Sequence, residues 1–145
     1  MSVVFFDDQD MCSAVNDASS PEWAVRAAAG RRLALSTRIA EVADVLLRLL
    51  LDAHDTGVTA ETAEALLSRK DIAGLRCVLL ARSQAEETWT ADEIHAALYG
   101  DPGWMPTEGP GRLIKQLQEL TIDEDEGVRG EAERMLADLR RVDSE

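Results

Sequence analysis

Glu86, Glu87, Trp89, Asp92, Glu93, Tyr99, Asp101, Trp104 and Glu108 all fall within residues 83–111, a stretch that contains no Lys or Arg. Aromatic faces attract ammonium and guanidinium groups, and nearby carboxylates pair with the same cations. The chemistry such a set can do is recognition of a basic side chain rather than bond-making. Trp and Tyr also serve as interface anchors. Trp104 lies between Gly103 and Met105 in a Gly- and Pro-rich segment, so it is the aromatic expected to stand most open to a partner. Each aromatic has a structural alternative. Trp89 could staple the start of its helix, and Tyr99 and Trp104 could bury a loop against the helices.

Groups suited to catalysis are sparse. The two histidines, His54 and His95, are far apart, and no HExxH or CxxC spacing occurs, so neither a metal nor another cofactor is expected. Ser36, Ser68 and Ser83 lack the strand-turn-helix context of an activated serine. The run Asp123-Glu124-Asp125-Glu126 lacks the Gly-bearing twelve-residue ligand spacing of a calcium loop and reads instead as the acidic start of a helix. Cys12 and Cys77 are read as free, buried thiols. The expectation is a protein that is not an enzyme.

Charge points the same way. The net charge is −13, divided as −5 over residues 1–25, +2 over 26–82, −6 over 83–111 and −4 over 112–145. Binding to a phosphate backbone requires clustered Lys and Arg, so direct nucleic-acid contact is excluded as an expectation. A basic protein partner fits, because complementary fields speed encounter. The Val3-Val4-Phe5-Phe6 run is too short and too acidic in its flanks for a signal peptide, and Val45 to Leu51 is interrupted by Arg48 and too short for a bilayer. A cytoplasmic location and no membrane partner are expected.

Helices must position these residues. Aromatics are only 4% of the chain, leaving Leu, Ala and Val to fill the core, and no alternating strand pattern follows Phe6. Helices are expected from Asp8 to Asp17, then from Ser20-Pro21 as cap and first turn through Leu35. The next is capped by Ser36 or Thr37 and carries Ile39 to Leu50 as the central helix. Thr59 is expected to cap a helix to Ser68, Asp71 to cap the following one, and Thr90-x-x-Glu93 to form a capping box on a helix ending at Gly100. Residues 100–111 are read as a long loop, Arg112 to Leu120 as a helix, and Asp123 or Asp125 as the cap of a last helix to about Arg141.

Two of these helices repeat a pattern, Val25-Arg26-x-x-Ala29-x-x-x-Leu33 and Val128-Arg129-x-x-Ala132-x-x-x-Leu136. Val58-Thr62-Leu66 is a partial copy with Thr in the Ala slot, and Ile94 and Leu98 form a weaker one. The markers Val25, Val58, Ile94 and Val128 are spaced near the period of helical repeats. With Ser20-Pro21-Glu22-Trp23 before one copy and Asp123 to Glu126 before the other, residues 20–141 resemble the HEAT-repeat superfamily. The resemblance implies an all-α fold, a short right-handed α-solenoid of stacked helix pairs with about eight helices. Its single domain would comprise an N-terminal capping segment at 1–19, repeat units at 20–54, 55–88 and 89–120, and a terminal helix at 121–145. Arg26 and Arg129 are read as repeat-internal residues that bond carbonyls or acidic turns of adjacent units. Family members are mostly protein-binding scaffolds, some bind nucleic acid through basic concave faces, and some lyase-like relatives handle tetrapyrroles.

The expected function is a non-catalytic protein–protein interaction module with an acidic surface for a basic partner. Its partner-binding residues would be Trp104, Trp89, Tyr99, Glu86, Glu87, Asp92, Asp101 and Glu108. A toxin-neutralising immunity protein is the alternative, and a small-molecule-handling or lyase-like relative is the third reading. Apolar edges at the ends of a short stack make weak self-association an expectation.

Overall fold

Pro and Gly punctuation, aspartate caps and Leu/Ala/Val stripes produce an all-helical chain. The computed structural model describes the backbone of residues 8–100 and 109–143 and the side chains of residues 10–99 and 112–139. Eight α-helices occur among the described residues: α1 (Asp8–Asp17), α2 (Trp23–Ala34), α3 (Ala43–Leu50), α4 (Thr56–Leu67), α5 (Ile72–Gln84), α6 (Thr88–Gly100), α7 (Gly109–Leu120) and α8 (Glu126–Asp143). No strand is present among these residues. Most of the loop expected at 100–111 lies outside the described residues, but Gly109, Pro110 and Gly111 belong to α7.

Several caps differ from expectation. Ser20 does not cap α2. Its Oγ accepts a bond from the Glu22 N–H, and the helix begins at Trp23 with Glu22 as an N-cap lacking a side-chain bond. Ser36 Oγ accepts from the Arg38 N–H, which closes a turn rather than opening a long helix. A short 3₁₀ helix, Ile39–Val42, therefore precedes α3, and the expected helix from Ile39 is split in two. Asp55, not Thr59, caps α4 by accepting from the Gly57 N–H. Thr59 is fully buried inside that helix. The structure begins α6 at Thr88, two residues before the expected capping box, leaving Thr90 buried. Asp71 caps α5 through the Gly74 N–H as expected, and Asp125 accepts from the Val128 N–H at the start of α8.

The central position belongs to α4 rather than α3, since it packs on α2, α3, α5 and α6. The fully buried side chains include Leu33, Leu46, Leu49, Leu50, Leu66 and Leu67 in this half, with Leu75, Leu79, Ile94, Leu113 and Leu117 continuing the core toward α8. That last helix lies on α5 and α7. All three core positions of the Val58-Thr62-Leu66 copy are buried. Thr62 fits the slot filled by Ala elsewhere because Gly30 of α2 faces it, and a Cβ at Gly30 would collide with the Thr62 hydroxyl.

Arginines tie distant turns together. The Arg26 side chain donates from Nε to Asp52 Oδ2 at 2.8 Å and from Nη1 to the Ser20 carbonyl at 2.9 Å. Arg69 donates from Nη1 to the carbonyls of Ala34 and Ser36 at 2.6 and 2.9 Å, and also pairs with Asp71. Arg76 pairs with Asp123 at 2.8 and 3.0 Å, and Arg129 donates to the Asp123 carbonyl at 2.7 Å. Arg26 and Arg129 thus each reach the carbonyl six residues upstream, bonding carbonyls as expected but within their own units rather than in adjacent ones.

Candidate functional site

Glu86 and Glu87 end the turn between α5 and α6, and Trp89 and Asp92 follow in the first turns of α6. All four are exposed, with Trp89 at 55% of its accessible surface. A tryptophan this open, beside three carboxylates, presents a π-face and negative charge to solvent together. The aromatic–acidic expectation therefore has a physical location at the α5–α6 turn. Trp104, Asp101 and Glu108 lie outside the described residues.

Tyr99 is held elsewhere. It lies ten positions beyond Trp89, about 15 Å along a helix. Its ring stacks on His95 with centroids 4.3 Å apart, and its hydroxyl donates to Asp138 Oδ2 of α8 at 2.8 Å. Burial, followed by the bond to Asp138 and that carboxylate's charge, pushes the phenol well above its ordinary pKa of 10.0. A cavity of about 40 Å³ adjoins this cluster, bounded also by Arg82, Glu131 and Arg134. That is room for a water or so and too little for a substrate. Because Tyr99 is the sole tyrosine, alkaline titration of the phenolate absorbance reads this one site. Less than half should be ionised at pH 10, and Asp138→Asn should move ionisation back toward that pH. Half-ionisation at or below pH 10 in the unmodified protein would show that neither the burial of the ring nor its contact with Asp138 holds in solution.

Sequence reasoning missed Trp23. It opens α2 with 49% of its surface exposed, beside exposed Glu22 and against the Gly57 turn of α4. Trp23 and Trp89 thus occupy the first turns of the two helices that flank α4. The available signal was a Trp next to Glu in a segment with no basic residue.

A second feature was not anticipated. The α1–α2 turn faces the end of α3 and the α3–α4 turn across an open groove of about 700 Å³. Arg26, Arg48, Asp52 and His54 supply its charged and titratable groups. The Asp52 carboxyl is raised by burial, but bonds from Arg26 and from the His54 and Asp55 N–H groups outweigh this and hold it below 3.8.

No family model matches the chain, and no curated protein or solved structure is detectably similar to it. The site must therefore be read from its own geometry. Among the described residues, no group of three or more His, Cys, Asp or Glu is placed to hold a metal ion, and no helix is long and apolar enough to cross a membrane. Cys12 is exposed rather than buried as expected, while Cys77 is partly buried and its thiol is pushed up by that burial.

Proposed function

We propose that this chain is a non-catalytic protein-interaction module whose acidic, tryptophan-bearing α5–α6 surface takes a basic protein partner. One observation carries the reading. Trp89 is more than half exposed beside Glu86, Glu87 and Asp92 in a stretch without a compensating base. A folded chain gains little by leaving an indole in water, whereas an indole beside carboxylates gains a cation–π contact and ion pairing once a Lys or Arg arrives. The −13 net charge adds long-range steering. On this reading the helices form a short right-handed HEAT-like solenoid, with the successive packing of α2, α4 and α6 as one layer. Trp104, Asp101 and Glu108, from the same base-free stretch of sequence, are included in the proposal as partner contacts.

An immunity protein that covers a basic toxin is a specific form of this function, and it adds one requirement: the captured partner must lose its activity in the complex. The test is affinity capture followed by titration of the purified basic partner. Trp89→Ala should weaken binding by roughly 2 kcal/mol, about thirtyfold, without lowering the melting temperature. Raised salt should weaken it further. Unchanged affinity in both Trp89→Ala and the Glu86→Gln, Glu87→Gln pair would remove this surface from the interface.

A further inference from the structure

The groove between the α1–α2 turn and the α3–α4 turn has the opposite character to the α5–α6 surface, and the geometry points to it as a binding site for a small phosphorylated ligand. The inference is independent of the protein-binding reading, because the two sites lie on different turns and share no residue.

The groove is rich in donors that its own acceptor cannot satisfy. Asp52 is the carboxylate in the lining, and its oxygens are already engaged: Oδ1 by the N–H groups of His54 and Asp55, and Oδ2 by Arg26 Nε at 2.8 Å. Its charge is matched by Arg26, whose side chain is only 11% exposed and so is fixed in place. Arg26 has five N–H donors, of which three are committed to Asp52 and the Ser20 carbonyl. Ser20 Oγ accepts from Glu22, which leaves its O–H to donate. The side chains of Arg48 and His54 are exposed on the opposite side and make no hydrogen bond or ion pair with any described residue. Arg26, Arg48 and Asp52 together give the lining a net charge of +1, on a chain whose net charge is −13.

The number and separation of the donors favour phosphoryl over carboxylate. A carboxylate prefers two parallel N–H bonds from one guanidinium fork. In Arg26 that fork, Nε with Nη2, is already turned onto Asp52, which leaves the fork of Arg48 as the one the lining can offer a two-oxygen group. The remaining donors belong to four separate side chains, Ser20, Arg26, Arg48 and His54, which come from two turns, the start of α2 and the end of α3. A group with three terminal oxygens pointing apart can meet such donors, and a flat two-oxygen group meets fewer. The groove is also much larger than a phosphate ion, and Pro21, Leu51 and Ala53 give it an apolar wall for an organic substituent.

Calorimetric titration of the full chain with phenyl phosphate, inorganic phosphate and benzoate tests this. Phenyl phosphate should bind saturably, and benzoate at least about tenfold more weakly. Arg48→Gln should weaken phenyl phosphate about tenfold or more while leaving the melting temperature unchanged, since Arg48 holds no described residue in place. His54→Gln, also at an exposed position, serves as the second variant and should weaken it as well. Inorganic phosphate binding as tightly as phenyl phosphate supports the phosphoryl site with the free ion as its ligand, and tighter phenyl phosphate supports an organic phosphate. Absence of saturation, benzoate binding equally well, or equal affinity in both variants overturns the proposal. None of these outcomes depends on Trp89, so failure here and failure of the protein-binding reading are told apart.

Discussion

Asp52→Ala is expected to lower the free energy of unfolding by about 4 kcal/mol, a large part of what a domain of this size has. Asp52 and Arg26 are 7% and 11% exposed at the side chain, so removing the carboxylate leaves a nearly buried guanidinium without its counter-charge. The same change frees the N–H groups of His54 and Asp55, which shape the turn into α4. Those two N–H groups lie on exposed or half-exposed residues and can turn to water, so the stranded cation is the larger cost. Replacing both partners, with Arg26→Met and Asp52→Leu, should therefore cost less than Asp52→Ala alone, which urea titration can measure. The pH dependence follows from the depressed pKa. A carboxyl held below 3.8 in the folded state contributes stability that is present above that value and is lost as pH falls through the lower folded pKa. Asp71 and Asp123 are depressed as well, Asp123 chiefly by the Arg76 bond. The unmodified protein should lose stability steeply below about pH 4, and Asp52→Ala should show a shallower loss over the same range. A slope unchanged by the substitution would mean that the pair is not formed in solution.

Gly74→Ala is expected to destabilise by about 3 kcal/mol, against the usual gain of about 1 kcal/mol for placing Ala in a helix. A Cβ there would lie inside van der Waals contact of the Leu66 carbonyl oxygen and 3.2 Å from the Leu66 carbonyl carbon. Both are backbone atoms at the end of α4, so relief requires moving the α4–α5 pair apart. Gly30→Ala makes an equally severe collision on paper, but with the Thr62 side chain, which can rotate. It should cost less. Gly130→Ala meets nothing within 4 Å and should stabilise by about 0.5–1 kcal/mol, which makes it the control. The order of melting temperatures, Gly130→Ala highest and Gly74→Ala lowest, is the result to check. Equal stability of the Gly74 and Gly30 variants would show that α4 and α5 are less closely apposed than the structure places them.

Local chemistry made much of this fold readable from the chain. The limits of α1, the caps Asp71 and Asp125 and the buried stripe through Val58, Thr62 and Leu66 follow from short-range rules about capping and helical period. The failures have a common cause. Ser20 and Ser36 each look like an N-cap, but each closes a turn two residues on, a competing use of the same hydroxyl that spacing cannot separate. Thr59 reads as a cap when Asp55-Thr56-Gly57 is taken as the break before it, yet Asp55 had already started the helix. The α5–α6 surface was legible because Glu86, Glu87, Trp89 and Asp92 fall close together in the chain. The groove was not, because Ser20, Arg26, Arg48 and His54 converge only after three connections have folded. In the chain, Arg48 reads as no more than an interruption in an apolar run.

The long-range arginine bonds have a consequence for how the molecule comes apart. In a stack whose units touch only through side-chain packing, an end unit can fray while its neighbours persist. Here Arg26 holds the carbonyl at position 20 and the turn at position 52, Arg69 holds the carbonyls of 34 and 36, and Arg76 holds the turn at 123. Peeling α1 and α2 away exposes the Asp52 carboxylate left behind in the turn that starts α4, and opening α8 strands Arg76 on α5. Each local opening thus carries an electrostatic penalty in the part that remains folded. Amide exchange through the middle of the chain should then report one shared opening event rather than a gradient declining from the centre to the ends.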